Sequence, residues 1–339
     1  MVLWLLKNCP NYCYLENPLL KLYLNLIGWV ALGFFLGRQL PRSYSTYLAK
    51  FLFFFGTPLS IVAFIRSANL SGAIWMAPLI AWAAILAGGG LAGILIIFGV
   101  GEERFKTLNP IAQNSPEHTS AWSLPTQGSF LLATMVGNTG FLGIPVTLSL
   151  LGSEHFAWAL FYDLLGTTMG INIRGVAIAS HCGKSDRPQS WLGPVRAIFL
   201  NPALWAFGVG FVSRSLPLSA QIAELLTTGA WTVVTLALIT IGMQLSKLNS
   251  LHNLKPVLAS LAIKMLLVPL VIGTGLTFLG IAGAPRLVLV LQMAMPPAFG
   301  TTLLAEAFNL DRELAVTAIG LGCVSLLFTI PLWMRVFNF

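Results

Sequence analysis

Long apolar runs separated by short polar connections fill the chain from residue 19 to its end. A helix needs about 20 apolar residues to cross the hydrocarbon of a bilayer. Runs of that size fall at roughly 19–37, 47–65, 73–100, 129–151, 155–180, 195–213, 219–246, 256–280, 285–308 and 312–337, and they predict ten spanning helices. The third, fifth and seventh are long enough to tilt or project. The division that follows is an N-terminal segment outside the membrane (1–18), five helices (19–180), a short cytoplasmic connection (181–194) and five more helices (195–339). The one long interior connection, 101–128, is polar and carries proline.

The fourth run contains nine residues that contradict a regular helix: Gly137-Asn138-Thr139-Gly140-Phe141-Leu142-Gly143-Ile144-Pro145. Pro145 has no amide N–H and crowds the preceding turn, and the glycines lower the cost of leaving helical geometry. An unpaired backbone group in lipid costs several kcal/mol, so open backbone at that depth must be enclosed by protein or line a wet cavity. The ninth run is interrupted in the same way at Gln292-Met293-Ala294-Met295-Pro296-Pro297-Ala298-Phe299-Gly300-Thr301-Thr302. Both breaks fall in the fourth helix of a set of five. Because five is odd, the second set starts from the opposite side of the membrane. Two similar sets then form an inverted repeat, and matched interruptions point to a transporter site. Proline kinks that only shape packing are the plainer alternative; two at matched places favour the site.

Composition agrees. The chain is 56% hydrophobic and 9% charged, where a soluble domain is about 25% charged. The net charge of +8 reflects topology rather than nucleic acid. Arg38, Arg42, Lys50, Arg104, Lys106, Lys184, Arg187, Arg196, Lys247, Lys255 and Arg312 sit in odd-numbered connections. Only Lys7, Arg66, Arg214, Arg286 and Arg335 lie in even-numbered ones or at the termini. By the positive-inside rule the odd connections are cytoplasmic and both termini lie outside. The membrane expected is the plasma membrane, or the inner membrane of a bacterium. No basic segment precedes an apolar core at the N-terminus, so no cleaved signal peptide is expected.

Each break leaves a half-helix, starting after Pro145 or Pro297, whose N-terminus carries partial positive charge and open N–H groups. Two such ends attract an anion without a buried arginine; the opposing C-terminal ends favour a cation. Asn138, Thr139, Gly140, Gln292 and Thr301 are the candidate substrate-binding residues. Gly137, Gly143, Pro145, Pro296, Pro297 and Gly300 shape the crossing. Asp163 and Lys264 are the most deeply placed charges, and ionisable residues within spans are functional candidates. Counting inward puts Asp163 nearer the outer face and Lys264 nearer the inner one. Whether they pair and couple transport to an ion gradient, or form a static pair or a snorkelling lysine, is open at this level. Gly88-Gly89-Gly90, Gly93, Gly166 and Gly170 suit close helix packing. Thr228, Thr232 and Thr235 share a face, more simply explained by bonds to their own helix. His118, His155, His181 and His252 lack metal-ligand spacing, Cys9, Cys13, Cys182 and Cys323 are scattered, and no Walker loop or catalytic carboxylate pair occurs. No cofactor, metal or enzymatic activity is indicated.

The two broken motifs resemble those of the auxin efflux carrier family, which includes plant auxin exporters and bacterial permeases assigned to malate or malonate. Asn201-Pro202, Ile241-Gly242-Met243 and Ala305-Glu306-Ala307-Phe308-Asn309-Leu310-Asp311 add to the resemblance, in order along the chain. It implies two inverted five-helix repeats with crossing proline-broken helices, similar to bile-acid:sodium symporters and some sodium/proton antiporters. It also implies a small organic anion bound beside the crossing, elevator-like alternating access, and a homodimer with spans one, two, six and seven as scaffold. Proton or sodium coupling stays open, as does a membrane receptor that binds the same ligand without moving it. The short 181–194 connection sets this chain apart from the plant exporters.

Overall fold

In the computed structural model, residues 18–107, 122–184, 196, 199–246 and 254–337 are described. Cys9, Cys13, His118, His252, Lys7, Arg187, Lys247 and most of the 181–194 connection lie outside them. Helix occupies each of the ten expected runs among the described residues. Among the described residues, five stretches are long and apolar enough to cross a membrane: Ser43–Ile65, Met76–Phe98, Ala220–Leu245, Leu254–Phe278 and Arg312–Val336. The chain is a polytopic helical membrane protein.

In order, the helices are α1 (Pro18–Gln39), α2 (Arg42–Phe51), α3 (Thr57–Ile65), α4 (Met76–Thr107), α5 (Leu124–Met135), α6 (Ile144–Leu151), α7 (Phe156–Phe161) and α8 (Val176–Cys182). They continue as α9 (Pro202–Val212), α10 (Ala220–Leu245), α11 (Leu254–Leu261), α12 (Val268–Phe278), α13 (Gly283–Met293), α14 (Phe299–Ala307) and α15 (Arg312–Val336). Their starts follow local chemistry. Ser123, Asn201, Ser219 and Asp311 each accept a bond from a first-turn amide, through Thr126, Ala203, Ile222 and Leu314 respectively, which satisfies a donor that the helix itself leaves open. Pro125 and Pro202 occupy first-turn positions where no N–H is needed.

Several runs are widened by π turns, at Leu52–Gly56, Thr139–Gly143, Tyr162–Thr167, Ile171–Gly175 and Ala262–Leu267. Three of these are followed two residues later by a proline: Pro58, Pro145 and Pro269. A proline in a helix clashes with the carbonyl four residues back and cannot bond to it. A wider turn relieves that clash while keeping the chain helical. Short π segments of this kind are frequent at functional sites.

Most of the helices pack in two groups, with α6 and α7 in contact with both. α1, α2, α3, α9 and α10, which include spans one, two, six and seven, pack on one another. The second group joins α4, α5, α8 and α11 to α15. Glycines set the closest approaches. A Cβ on Gly242 would strike the backbone of Val30, and one on Gly33 the backbone of Ile239, so α1 and α10 touch main chain to main chain. A Cβ on Gly88 would strike Thr134 O, on Gly166 Ala81 and on Gly170 Ile85, so these glycines pack closely as the sequence predicted, whereas Gly90 and Gly93 of the same run meet nothing within 4 Å. Arg66 and Arg214 are also accounted for. Arg66 donates to Ser213 O and to Leu216 O (2.6 Å), and Arg214 to Ala68 O (2.6 Å). Each neutralises carbonyls at the C-terminal end of the other's helix.

Gly242→Ala forces main chain apart and is expected to cost about 1–3 kcal/mol of stability. Gly90→Ala meets nothing within 4 Å and should gain roughly 0.5–1 kcal/mol from helix propensity. Thermal unfolding in detergent checks the opposite signs.

Candidate functional site

The two interruptions meet. Gly137 and Pro297 form an isolated antiparallel bridge. The Asn138 amide donates to Pro296 O at 2.7 Å, and the Ala298 amide donates to Val136 O at 3.0 Å. Backbone groups that each helix leaves open are therefore taken by the other, away from lipid.

The second break lies where its prolines predict it: α13 ends at Met293 and α14 begins at Phe299. The first break is displaced from expectation. α5 stops at Met135, and helix resumes at Thr139, ahead of Pro145. The half-helix thus begins after Asn138 rather than after Pro145, because the π turn Thr139–Gly143 accommodates the proline inside the helix.

Asn138 caps that half-helix. Its Oδ1 accepts from the Phe141 amide at 3.3 Å. A backbone N–H can only donate, so this bond fixes which way the side-chain amide faces. Nδ2 is then directed away from the cap, buried and without a partner. Gln292, wholly buried, comes from the other broken helix. Its Nε2 donates to Thr147 Oγ1 at 3.1 Å and its Oε1 has no partner. The Thr147 hydroxyl can donate or accept, so Gln292 can present either end to a ligand. A Cβ on Gly143 would displace the Gln292 amide.

Both deep charges reach the crossing, at different half-helix ends. Thr139 Oγ1 donates to Asp163 Oδ1, and a Cβ on Gly140 would sit 3.3 Å from Asp163 Oδ2. The carboxylate therefore lies at the start of the Thr139 half-helix, where the helix dipole favours an anion. Lys264 is 2% exposed and its Nζ donates to Met135 O at 3.4 Å, at the end of α5. The two residues do not form an ion pair with each other, and Lys264 does not snorkel.

The remaining candidates separate. Thr301 and Thr302 turn their hydroxyls back to Ala298 O and Phe299 O, both at 2.7 Å, and Gly300 packs on Ile171. Thr232 and Thr235 bond the carbonyls of Thr228 and Trp231 on their own helix, as expected. Three partners went unread in the sequence: Thr147, Trp82 and Trp333. Trp333 Nε1 donates to Met265 O at 3.1 Å, the carbonyl to which Pro269 has no N–H to offer. Trp82 Nε1 donates to Leu165 O at 3.2 Å, in the π turn that carries Asp163. For Trp333, the mid-span Pro269 was the available signal.

A helical membrane protein with two interrupted helices crossing in its interior is the class this geometry defines. Residues 193–334 match the family described as membrane transport protein. An uncharacterized transporter of Methanothermobacter thermautotrophicus is 32% identical over 212 residues, covering 61% of this chain and 67% of the relative. An uncharacterized transporter of Methanocaldococcus jannaschii is 30% identical over 212 residues, with the same coverage. The chain belongs to this membrane transport family, the auxin efflux carrier family that its motifs resemble.

Asn138→Ala removes the cap and should lower stability by about 1 kcal/mol. An unfolding midpoint in detergent equal to that of the wild type would show that relief of the unpaired Nδ2 offsets the loss of the cap.

Proposed function

We propose that the protein is a secondary carrier that moves a small organic anion, a carboxylate, by alternating access, with its site where the fourth and ninth spans cross. The observation that carries this reading is the Asn138 amide: buried, held by the Phe141 bond, and presenting Nδ2 as a donor with no acceptor. A buried unpaired donor is costly, and a ligand carboxylate supplies the missing acceptor. Gln292 and the half-helix starts at Thr139–Gly140 and Phe299–Gly300 complete the surroundings. The crossing and the two packing groups support an inverted repeat of residues 19–180 and 195–339. In this reading the group containing the crossing moves against a scaffold of spans one, two, six and seven, which also forms the homodimer. The membrane is the plasma membrane or a bacterial inner membrane, with both termini outside.

Asp163 supports proton coupling. Its carboxylate shares the Thr139–Gly140 end with the proposed anion site, and two anions there repel each other strongly in a low-dielectric interior. Anion binding therefore favours a protonated Asp163, and the two travel together.

Uptake of labelled indole-3-acetate, malate or a bile acid into proteoliposomes tests the site. Saturable uptake of one compound is expected, with its apparent affinity reduced about 10- to 100-fold in Asn138→Ala, the worth of a hydrogen bond to a charged group. Asn138→Asp keeps the cap oxygen, loses the donor and adds repulsion, so it should lose more. Uptake unchanged in both variants moves the site elsewhere, and binding without flux turns the reading to a receptor.

An acidic exterior should raise net uptake by the wild type, because protonation of Asp163 is favoured on the acidic side. Asp163→Asn should flatten that dependence on the pH gradient. A dependence that survives the substitution removes Asp163 from coupling.

A further inference from the structure

The carrier reading leaves Lys264 without a task. It is buried at the crossing yet meets no carboxylate; its hydrogen-bond partner is a backbone carbonyl, Met135 O. The ends of two helices explain the location. α5 stops at Met135 and α13 at Met293, and both direct their last carbonyls toward the crossing. Some of these find partners: Leu132 O accepts from Val136, Val136 O from Ala298, and Val290 O from Ala294. Met135 O is left to Lys264. A Cβ placed on Gly137 would lie 3.2 Å from Met295 O, 3.2 Å from Lys264 Cε and 3.4 Å from its Nζ. The ammonium group thus bonds the carbonyl end of α5, and the Met295 carbonyl, just past the end of α13, lies beside the same point at Gly137. Each such end carries roughly half a negative charge, and inside a membrane protein their convergence calls for a cation.

From this we infer that Lys264 is a tethered cation, occupying the place at the converging helix ends that a free metal cation would otherwise fill, so that the carrier works without sodium. The inference rests on the carrier reading for its functional half. Its structural half stands on the geometry alone. The π turn Ala262–Leu267 and the Trp333 bond to Met265 O hold the lysine's segment in place. A sodium ion beside the ammonium group would meet a like charge at close range, and no carboxylate pairs with Lys264 there to offset it.

The test separates the two halves. Thermal unfolding of the purified full chain in detergent is measured in sodium chloride, methylammonium chloride and choline chloride at equal ionic strength. The wild-type midpoint should be the same in all three. Lys264→Ala should unfold earlier in choline chloride and recover in sodium or methylammonium chloride, which are small enough to enter the vacated space. Lys264→Met, which fills that space without charge, should unfold early in every salt. It remains informative if the alanine variant does not fold. A wild-type midpoint raised selectively by sodium, an alanine variant that no small cation restores, or a methionine variant as stable as wild type would each overturn the assignment. In proteoliposomes, carboxylate uptake by the wild type should agree within twofold between sodium and choline buffers. Uptake that requires sodium overturns the inference and leaves the carrier intact. Absence of uptake of any carboxylate overturns the carrier and the functional half with it, while the detergent measurements still decide the cation.

Discussion

Lipid offers no partner to a backbone N–H or carbonyl, and this constraint organises the interior of the protein. Two helices are opened in mid-course, and each opening is tolerable because it lies against the other. The reciprocal bonds of Asn138 to Pro296 and Ala298 to Val136 turn two local defects into one joint structure. Neither break is stable alone at that depth. The pairing also collects four helix ends in one place, two with exposed N–H groups and two with exposed carbonyls. The site's electrostatics follow from that arrangement before any side chain is considered.

Side chains then complete the charges. Asp163 stands at an N-terminal end and Lys264 at a C-terminal end, each where the helix dipole favours it. Both are borne on π turns, and in both cases a tryptophan from a neighbouring helix bonds a carbonyl of the widened turn. The same device thus serves both deep charged residues. At the middle, Asn138 and Gln292 face the crossing from opposite broken helices, each with a polar atom unpaired. A site balanced at both ends and unsatisfied at its centre is arranged to receive a polar ligand.

Around this centre, packing divides the molecule. Backbone-to-backbone contact at Gly33 and Gly242 draws α1 and α10 together, and the reciprocal bonds of Arg66 and Arg214 tie the ends of α3 and α9. One group of helices is thereby held by its own contacts, while α10 and α1 pack on the Thr139–Leu151 half-helix of the crossing. The other group holds the crossing's charged residues. Its ends are tied together by Asp311, which caps α15 and accepts from Thr126 at the start of α5. In the proposed alternating access these are the parts that move against each other.

The ten helical runs, the two interruptions and the polar residues beside them were legible in the chain because hydrophobic length and proline chemistry are local properties. Membership in a transport family follows from the same motifs. The place of the first break was not legible: Pro145 marks a disturbance, and whether the chain breaks there or widens into a π turn depends on what Asn138 bonds across the crossing. Residue counting also set Asp163 and Lys264 at different depths and left their pairing open, since counting along a regular helix cannot register the extra residue of a π turn or the angle at which two helices cross. The sequence by itself determined that polar backbone would be exposed within the membrane. Only the tertiary structure decided which groups meet it, because those partners lie from about 70 to more than 150 residues away along the chain and are selected by packing.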